Sequence, residues 1–381
     1  MGIPAATAMR TPPGASGAPQ AQDRVLSIDA LRGFDMFWIV GGAWLVRELA
    51  KATGLPFFQI LDVQFSHVEW EGLRAYDVIF PLFLFIVGAS LPFSFTKRLE
   101  RGEPRGRIFR HVIQRVVILI FFGMWINGNL LSYDPSRFQI TYSVLQAIAL
   151  GYLVASAVLL TRGIRGQVIA IGGFAIGYFL LMKFFPVPGY GAGVITPEGN
   201  FGRWLNDLIL GGLQGRWRFG WIIQIPTWGA TALLGVMAGH LLRSPLNQRR
   251  KLAYLAGAGV GCLAIGLVWS IWLPIIKNLW TSSYLFVCCG ISFLLLAAFY
   301  LLVDIWGKAN WVFPFRVIGM NAIAIYVAWN IFDFRHVARV FVGGLKQYVG
   351  PWYGFAESAG ALLAGWLILY HLYRRGIFLK V

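Results

Sequence analysis

Charge is what this chain has least of. Only 13% of its 381 residues are Asp, Glu, Lys or Arg, and 57% are hydrophobic. A soluble domain carries about a quarter charged residues, so that class is excluded. Acidic residues are the scarcer sign, 16 against 33 basic, for a formal net charge of +17. Cysteine is nearly absent too. Cys262, Cys288 and Cys289 all fall inside apolar runs, which gives neither a disulfide framework nor metal-ligand spacing. The five histidines are scattered, with no HExxH or Cys/His cluster, so no metal is expected. There is no Walker motif, Rossmann fingerprint or nucleophile elbow. No convincing internal repeat exists, so the signature of inverted-repeat transporters is missing.

What is present is a series of apolar runs near 20 residues, the length that crosses about 30 Å of hydrocarbon. The runs are continuous rather than alternating, which argues for helices and against a β-barrel. The fold class is therefore an all-α polytopic membrane protein of about ten spans. They are expected at 28–48, 78–96, 108–126, 138–160, 167–185, 224–242, 252–273, 283–303, 312–332 and 356–373. The first carries Asp29, Arg32, Asp35 and Arg47, and the third His111 and Arg115. Most basic residues fall in segments sharing one side, which sets both termini in the cytosol by the positive-inside rule. The excess charge is then explained by topology and anionic lipid headgroups, and no nucleic-acid partner is expected. Residues 1–24, rich in Ala, Pro and Gly, predict a disordered cytoplasmic tail with no cleavable signal peptide. Residues 25–381 read as a single transmembrane domain in a multi-pass membrane protein.

Polar residues in such a chain each need a reason. His67 is the only histidine in the first hundred residues, just ahead of the second span. An imidazole there can act as a general base, or simply be an interfacial hydrogen-bonding group. Glu69 and Glu71 are close enough in sequence to orient it. Asp77 is expected at the outer start of the second helix, where the helix dipole favours a carboxylate. The loop Lys97–Arg110, KRLERGEPRGRIFR, suits a topology signal and equally a landing site for phosphate groups. Arg115, four residues after His111, faces a wet cavity or snorkels to the surface. Gln139, Tyr142, Ser143 and Gln146 recur at spacings of three and four, which predicts a polar stripe on one helix face. Asn127, Asn129, Asn321 and Asn330 are amides near or within spans, and Trp280, Ser282 and Ser283 open the eighth span. Three external segments, 49–77, 186–223 and 333–355, are long enough to carry function. Trp204, Trp217 and Trp221 in the middle one suit sugar stacking or an interfacial belt.

The blocks SIDALRGFDMFWIVGG, HVEWEGLRAYDVIFPLFLFIVGAS, RFQITYSVLQAIALGY, KNLWTSSY and GMNAIAIYV are similar in order and spacing to the heparan-α-glucosaminide N-acetyltransferase family, including its bacterial membrane members. The likeness runs from about Leu26 to Val327. It implies a transmembrane acyltransferase that takes acetyl-CoA from the cytosol as acetyl donor. The acetyl group passes to the amine of a small-molecule amino sugar or glycan on the far side. The family's active-site histidine falls on His67, as base or acetyl carrier. The implied catalytic set is His67 and Asp77, with Asn127 and Asn321 as oxyanion donors. The donor's path is expected along Arg32, Arg110, Arg115, Ser143 and Gln146, and the acceptor beside Glu69, Trp70, Glu71, Trp280 and Ser283. Membrane lipids are the other partner, and a homodimer is one assembly this allows. Two family features are missing: an asparagine before the histidine, where this chain reads IVGGAWLV, and a DPEG motif, replaced by WRFGWIIQIPTW. The extra lumenal N-terminal domain of the animal enzyme is also not expected. The competing class is a sugar transporter or binding scaffold without chemistry. Within the enzyme class, O-acetylation of a surface polysaccharide is the alternative.

Overall fold

The computed structural model describes residues 25–134, 137–140, 143–213 and 221–379. The tail expected over 1–24, and Tyr142 and Trp217, lie outside them. Helices α1 (Leu26–Phe37) and α2 (Ala43–Thr53) are joined by a π-helical turn, Trp38–Gly42. Next come α3 (Pro56–Gln64), α4 (Ala75–Glu100), α5 (Arg105–Asn127), α6 (Val144–Thr161) and α7 (Ile164–Phe184). A small antiparallel pair, β1 (Pro186–Val187) and β2 (Gly191–Ala192), precedes α8 (Phe201–Leu210) and α9 (Trp221–Arg243). The chain continues as α10 (Gln248–Trp269), α11 (Ser282–Phe299), α12 (Phe313–Met320) and α13 (Ala322–Ile331). It closes with α14 (Phe334–Val342), α15 (Lys346–Val349) and α16 (Tyr353–Arg374).

Among the described residues, eight helical segments are long and apolar enough to cross a bilayer. They carry eight of the ten expected spans, and the protein is an all-α polytopic membrane protein. The other two spans are broken rods. The run 28–48 lies on α1 and α2 and bends at Gly41, whose φ of 145° is open only to glycine at low cost. The run 312–332 divides at Asn321, between α12 and α13. The fourth span also starts later than expected. Ser143 caps α6 by accepting from the Leu145 amide at 3.3 Å, so Gln139 lies outside the helix. The polar stripe expected from 139 to 146 is therefore not a helix face.

The core is a pair of helices apolar on all sides, α4 and α9, each 78% buried over its apolar window, against 22–28% for α5, α7 and α10. Glycines bring the pair together: a Cβ at Gly88 would collide with the Ala232 carbonyl, and one at Gly235 with that of Phe85. Small residues at such crossings let backbones approach closely in a membrane. The outcome for function is that α4 runs through the centre of the bundle. About 30 Å separates Asp77 near its first turn from Lys97 near its last.

Candidate active site

At the Ala75 end of α4, the residue types dictate the local structure. Asp77 is the third residue of the helix, where a carboxylate satisfies amides that have no partner within the helix. Its Oδ2 accepts from the backbone N–H of Arg74 at 3.1 Å and of Val68 at 3.3 Å. Its Oδ1 lies 2.8 Å from His67 Nδ1 and 3.1 Å from Lys277 Nζ. Lys277 Nζ is also 2.8 Å from His67 Nδ1. The Asp77 side chain is 1% exposed and that of Lys277 21%, whereas His67 is 55% exposed. A buried carboxylate thus holds an accessible imidazole and a mostly buried ammonium. With Nδ1–H given to Asp77, Nε2 carries the ring's lone pair, with Lys277 Nζ 3.4 Å away. The His67 ring lies 4.8 Å from that of Tyr76, and Arg74 fixes the preceding turn by donating to Ser66 Oγ and the His67 carbonyl.

Lys277 comes from the loop between α10 and α11, more than 200 positions away, and that loop is pinned throughout. Gly72 N–H donates to the Ile275 carbonyl, Glu71 forms a β-bridge with Ile276, and Asn278 donates to the Glu69 carbonyl. Gln224 donates to the Asn278 carbonyl and Tyr178 to that of Leu279. Thr281 caps α11 and also takes the Ile276 amide. Tyr284 donates its hydroxyl to the Asp77 carbonyl at 2.7 Å, tying α11 to α4 beside the cluster. Burial pushes the Lys277 ammonium down from the ordinary lysine range, and Asp77 recovers part of that fall.

The second feature is a cavity of about 660 Å³ toward the Glu100 end of α4. Its walls come from α1, α4, the α12–α13 break and the chain end at Phe378 and Leu379. Arg32, Lys97, Arg98, Arg101, Arg115 and Arg243 line it, with Phe83 and Val87 at greatest depth along α4. Phe83 is six residues from Asp77, about 9 Å along the helix. Arg32 is held by Ser90 and Asp29. The Arg115 guanidinium lies over Tyr152, 4.8 Å from the ring centroid, and its buried Nε has no hydrogen-bond partner among the described residues. Basic forks above a deep apolar wall suit a long ligand with phosphates at one end.

The sequence-expected residues sort by this geometry. His67 and Asp77 meet at the first feature, and Arg32 and Arg115 at the second. Arg110 is exposed on α5 and does not line the cavity. Asn321 is not an oxyanion donor beside His67. It lies at the cavity end of α4, and its amide is spent on the chain terminus, donating to the Ile377 carbonyl and accepting the Leu379 amide. Asn127 is exposed at the end of α5. Ser143 is a helix cap, and Gln146 donates to the Ile140 carbonyl across the same turn. Trp280 and Ser283 are fully enclosed rather than open to an acceptor. Trp280 Nε1 donates to Thr231, and Ser283 Oγ to the Pro274 carbonyl. They shape the loop that presents Lys277. Trp70 donates to the Ile195 carbonyl, and Glu69 and Glu71 are exposed and anchored through their backbones. The imidazole is oriented by Asp77, not by either glutamate. Lys277 is the residue that sequence reasoning missed. Its signal was a lysine beside a conspicuous aromatic block, on the side with fewer basic residues.

These features define a multi-pass helical membrane protein with a His–Asp–Lys cluster at one end of its central helix and a basic cavity at the other. Residues 24–270 match the family model described as heparan-alpha-glucosaminide N-acetyltransferase, catalytic. The chain belongs to that family. It is similar to the human heparan-alpha-glucosaminide N-acetyltransferase, 28% identical over 385 residues covering 83% of this chain and 56% of the human protein. The mouse protein of the same name is 27% identical over 335 residues, 71% of this chain and 49% of its own length. The chain spans about half the length of these curated relatives.

Proposed function

We propose that this protein moves the acetyl group of acetyl-CoA across the membrane to the amine of a glucosamine-type sugar. The observation that carries the reading is the arrangement along α4: a basic cavity toward Lys97 and a base-bearing cluster at Asp77, about 30 Å apart. The bias of basic residues supports a cavity facing the cytosol and a His67 facing outside, and the membrane proposed is a bacterial inner membrane.

Acetyl-CoA supplies an activated thioester, so the protein needs to bind, orient and deprotonate. Arg98, Arg101, Arg115 and Arg243 suit its phosphates, and the Phe83–Val87 wall suits the arm that carries the acetyl group inward. His67 Nε2 takes the proton of the acceptor's ammonium; the freed amine forms a C–N bond at the thioester carbonyl, the C–S bond breaks, and the amine's second proton leaves with the CoA thiol. Asp77 holds the opposite ring nitrogen and balances the imidazolium that forms, while Lys277 holds Asp77 in place. A positioned imidazole is the commonest general base near neutral pH. The two missing family motifs concern the acceptor's side, so the acceptor is stated here as a class, an amino sugar or glycan.

The test is acetyl transfer by the purified chain from labelled acetyl-CoA to glucosamine and its glycosides. Hydroxylamine treatment then distinguishes the product, releasing an O-acetyl ester and leaving an amide. Hydroxylamine-stable, labelled product made by wild type and lost in H67A supports the reading. Label released by hydroxylamine turns it toward a hydroxyl acceptor. No product, together with no stabilisation by acetyl-CoA, removes acyl transfer in favour of a transporter or scaffold.

A further inference from the structure

We propose that Asp35 anchors the pantetheine arm, its carboxylate oxygens accepting the arm's amide N–H groups between the basic cavity and His67. This rests on the acetyl-CoA reading and assigns a residue that the reading leaves without a role.

Asp35 is fully buried in α1, and neither Oδ1 nor Oδ2 has a hydrogen-bond partner among the described residues. Buried carboxyl oxygens without partners are costly and seldom retained without use, above all inside a membrane. The position supplies the use. Asp35 follows Arg32 by three residues, so the two are neighbours on one helix face. Asp29 and Arg32 line the cavity, and Asp35 is one turn deeper, about 4.5 Å along the axis. Three residues on, the Trp38 ring stacks on Phe65 at 4.1 Å, and Phe65 lies 6.5 Å from the Tyr76 ring beside His67. An arm reaching from Arg32 to His67 has to pass this level. The π-helical turn Trp38–Gly42 begins three residues later, and such turns are frequent at functional sites.

The chemistry fits a pantetheine arm. Pantetheine is a tether with one hydroxyl and two secondary amides, whose N–H groups lose water when the arm enters a buried path. A carboxyl group whose two oxygens have no other partner among the described residues can return hydrogen bonds to them. Arg115, with its own unpartnered Nε at the cavity wall, faces the phosphate-bearing part of the same ligand.

The experiment compares two probes on the full-length purified protein: CoA, and adenosine 3′,5′-bisphosphate, which has phosphates but no arm. Dissociation constants are measured for wild type, Asp35→Leu and Asp35→Asn, with the melting temperature of each ligand-free protein. Leucine keeps a branched end and removes both acceptors, while asparagine keeps the volume and one acceptor. The expected result is CoA binding weakened about tenfold or more by Leu and less by Asn. Bisphosphate binding should stay within about twofold, and the ligand-free variants should melt no lower than wild type. CoA affinity unchanged in Asp35→Leu overturns the proposal. So does equal weakening of both probes, which marks a general structural role. If wild type binds neither probe, the acetyl-CoA reading falls and takes this proposal with it. If wild type binds both probes and only the variants differ, the reading stands whichever way Asp35 is decided.

Discussion

The two ends of α4 differ in how their polar groups are satisfied. At the Asp77 end both oxygens of the carboxylate have partners: two amides, a ring nitrogen and an ammonium converge on them. At the cavity end, Arg115 Nε and, one turn deeper, the oxygens of Asp35 have no partner among the described residues. A saturated network is rigid and preorganised, as a base has to be to meet its substrate without reorganising. Open, buried polar atoms beside a cavity are what a ligand completes. On the proposed reading, the contrast assigns proton transfer to the first end and ligand binding to the second.

The expected effects follow that division, from the largest. H67A should lower acetyl transfer by about 10²–10⁴-fold while leaving CoA affinity within about twofold; turnover with binding held constant is the check. D77N should lower turnover by about 10²-fold and destabilise the protein by about 3–5 kcal/mol, because Lys277 is left buried without its carboxylate. Thermal melts beside rate measurements separate those two losses. Lys277 supplies a pH signature. Burial pushes its ammonium below the ordinary lysine range, so rising pH removes its proton earlier than from a free lysine. The rate should therefore fall along an alkaline limb that begins below that range. Lys277→Met should be slower and lack the limb, and Lys277→Arg should move it upward; a limb unchanged in both variants breaks the assignment. R115A should invert the pattern of H67A, with CoA binding about tenfold weaker and turnover at saturating donor unchanged. Smallest is N321A, which should cost about 1 kcal/mol of stability through the lost clamp on the chain terminus, and leave the rate within about twofold.

The same contrast explains what was legible in the sequence. Span count and fold class follow from apolar run length, because hydrocarbon thickness allows few alternatives. The spans at 28–48 and 312–332 look alike by hydropathy, yet break at Gly41 and Asn321 for reasons of φ and of a distant backbone partner. His67 and Asp77 were legible because they lie ten residues apart, within one loop and the helix start that follows it. Lys277 was not, since only the pinned loop before α11 brings it to them. Trp280 and Ser283 misled for the same reason: the aromatic and hydroxyl block works as scaffolding for Lys277. At the cavity end, Lys97–Arg110 pointed to phosphate, but helix geometry keeps Arg98 and Arg101 at the wall and turns Arg110 outward.

The most direct test of transfer along α4 uses the protein reconstituted in sealed vesicles of known orientation. Labelled acetyl-CoA is confined to the face bearing Arg98 and Arg101, and glucosamine to the face bearing His67. The account predicts labelled N-acetylglucosamine only on the His67 face, and none when the two substrates exchange sides or when H67A is used. Product that forms only with both substrates on one face, or equally in H67A, would contradict it.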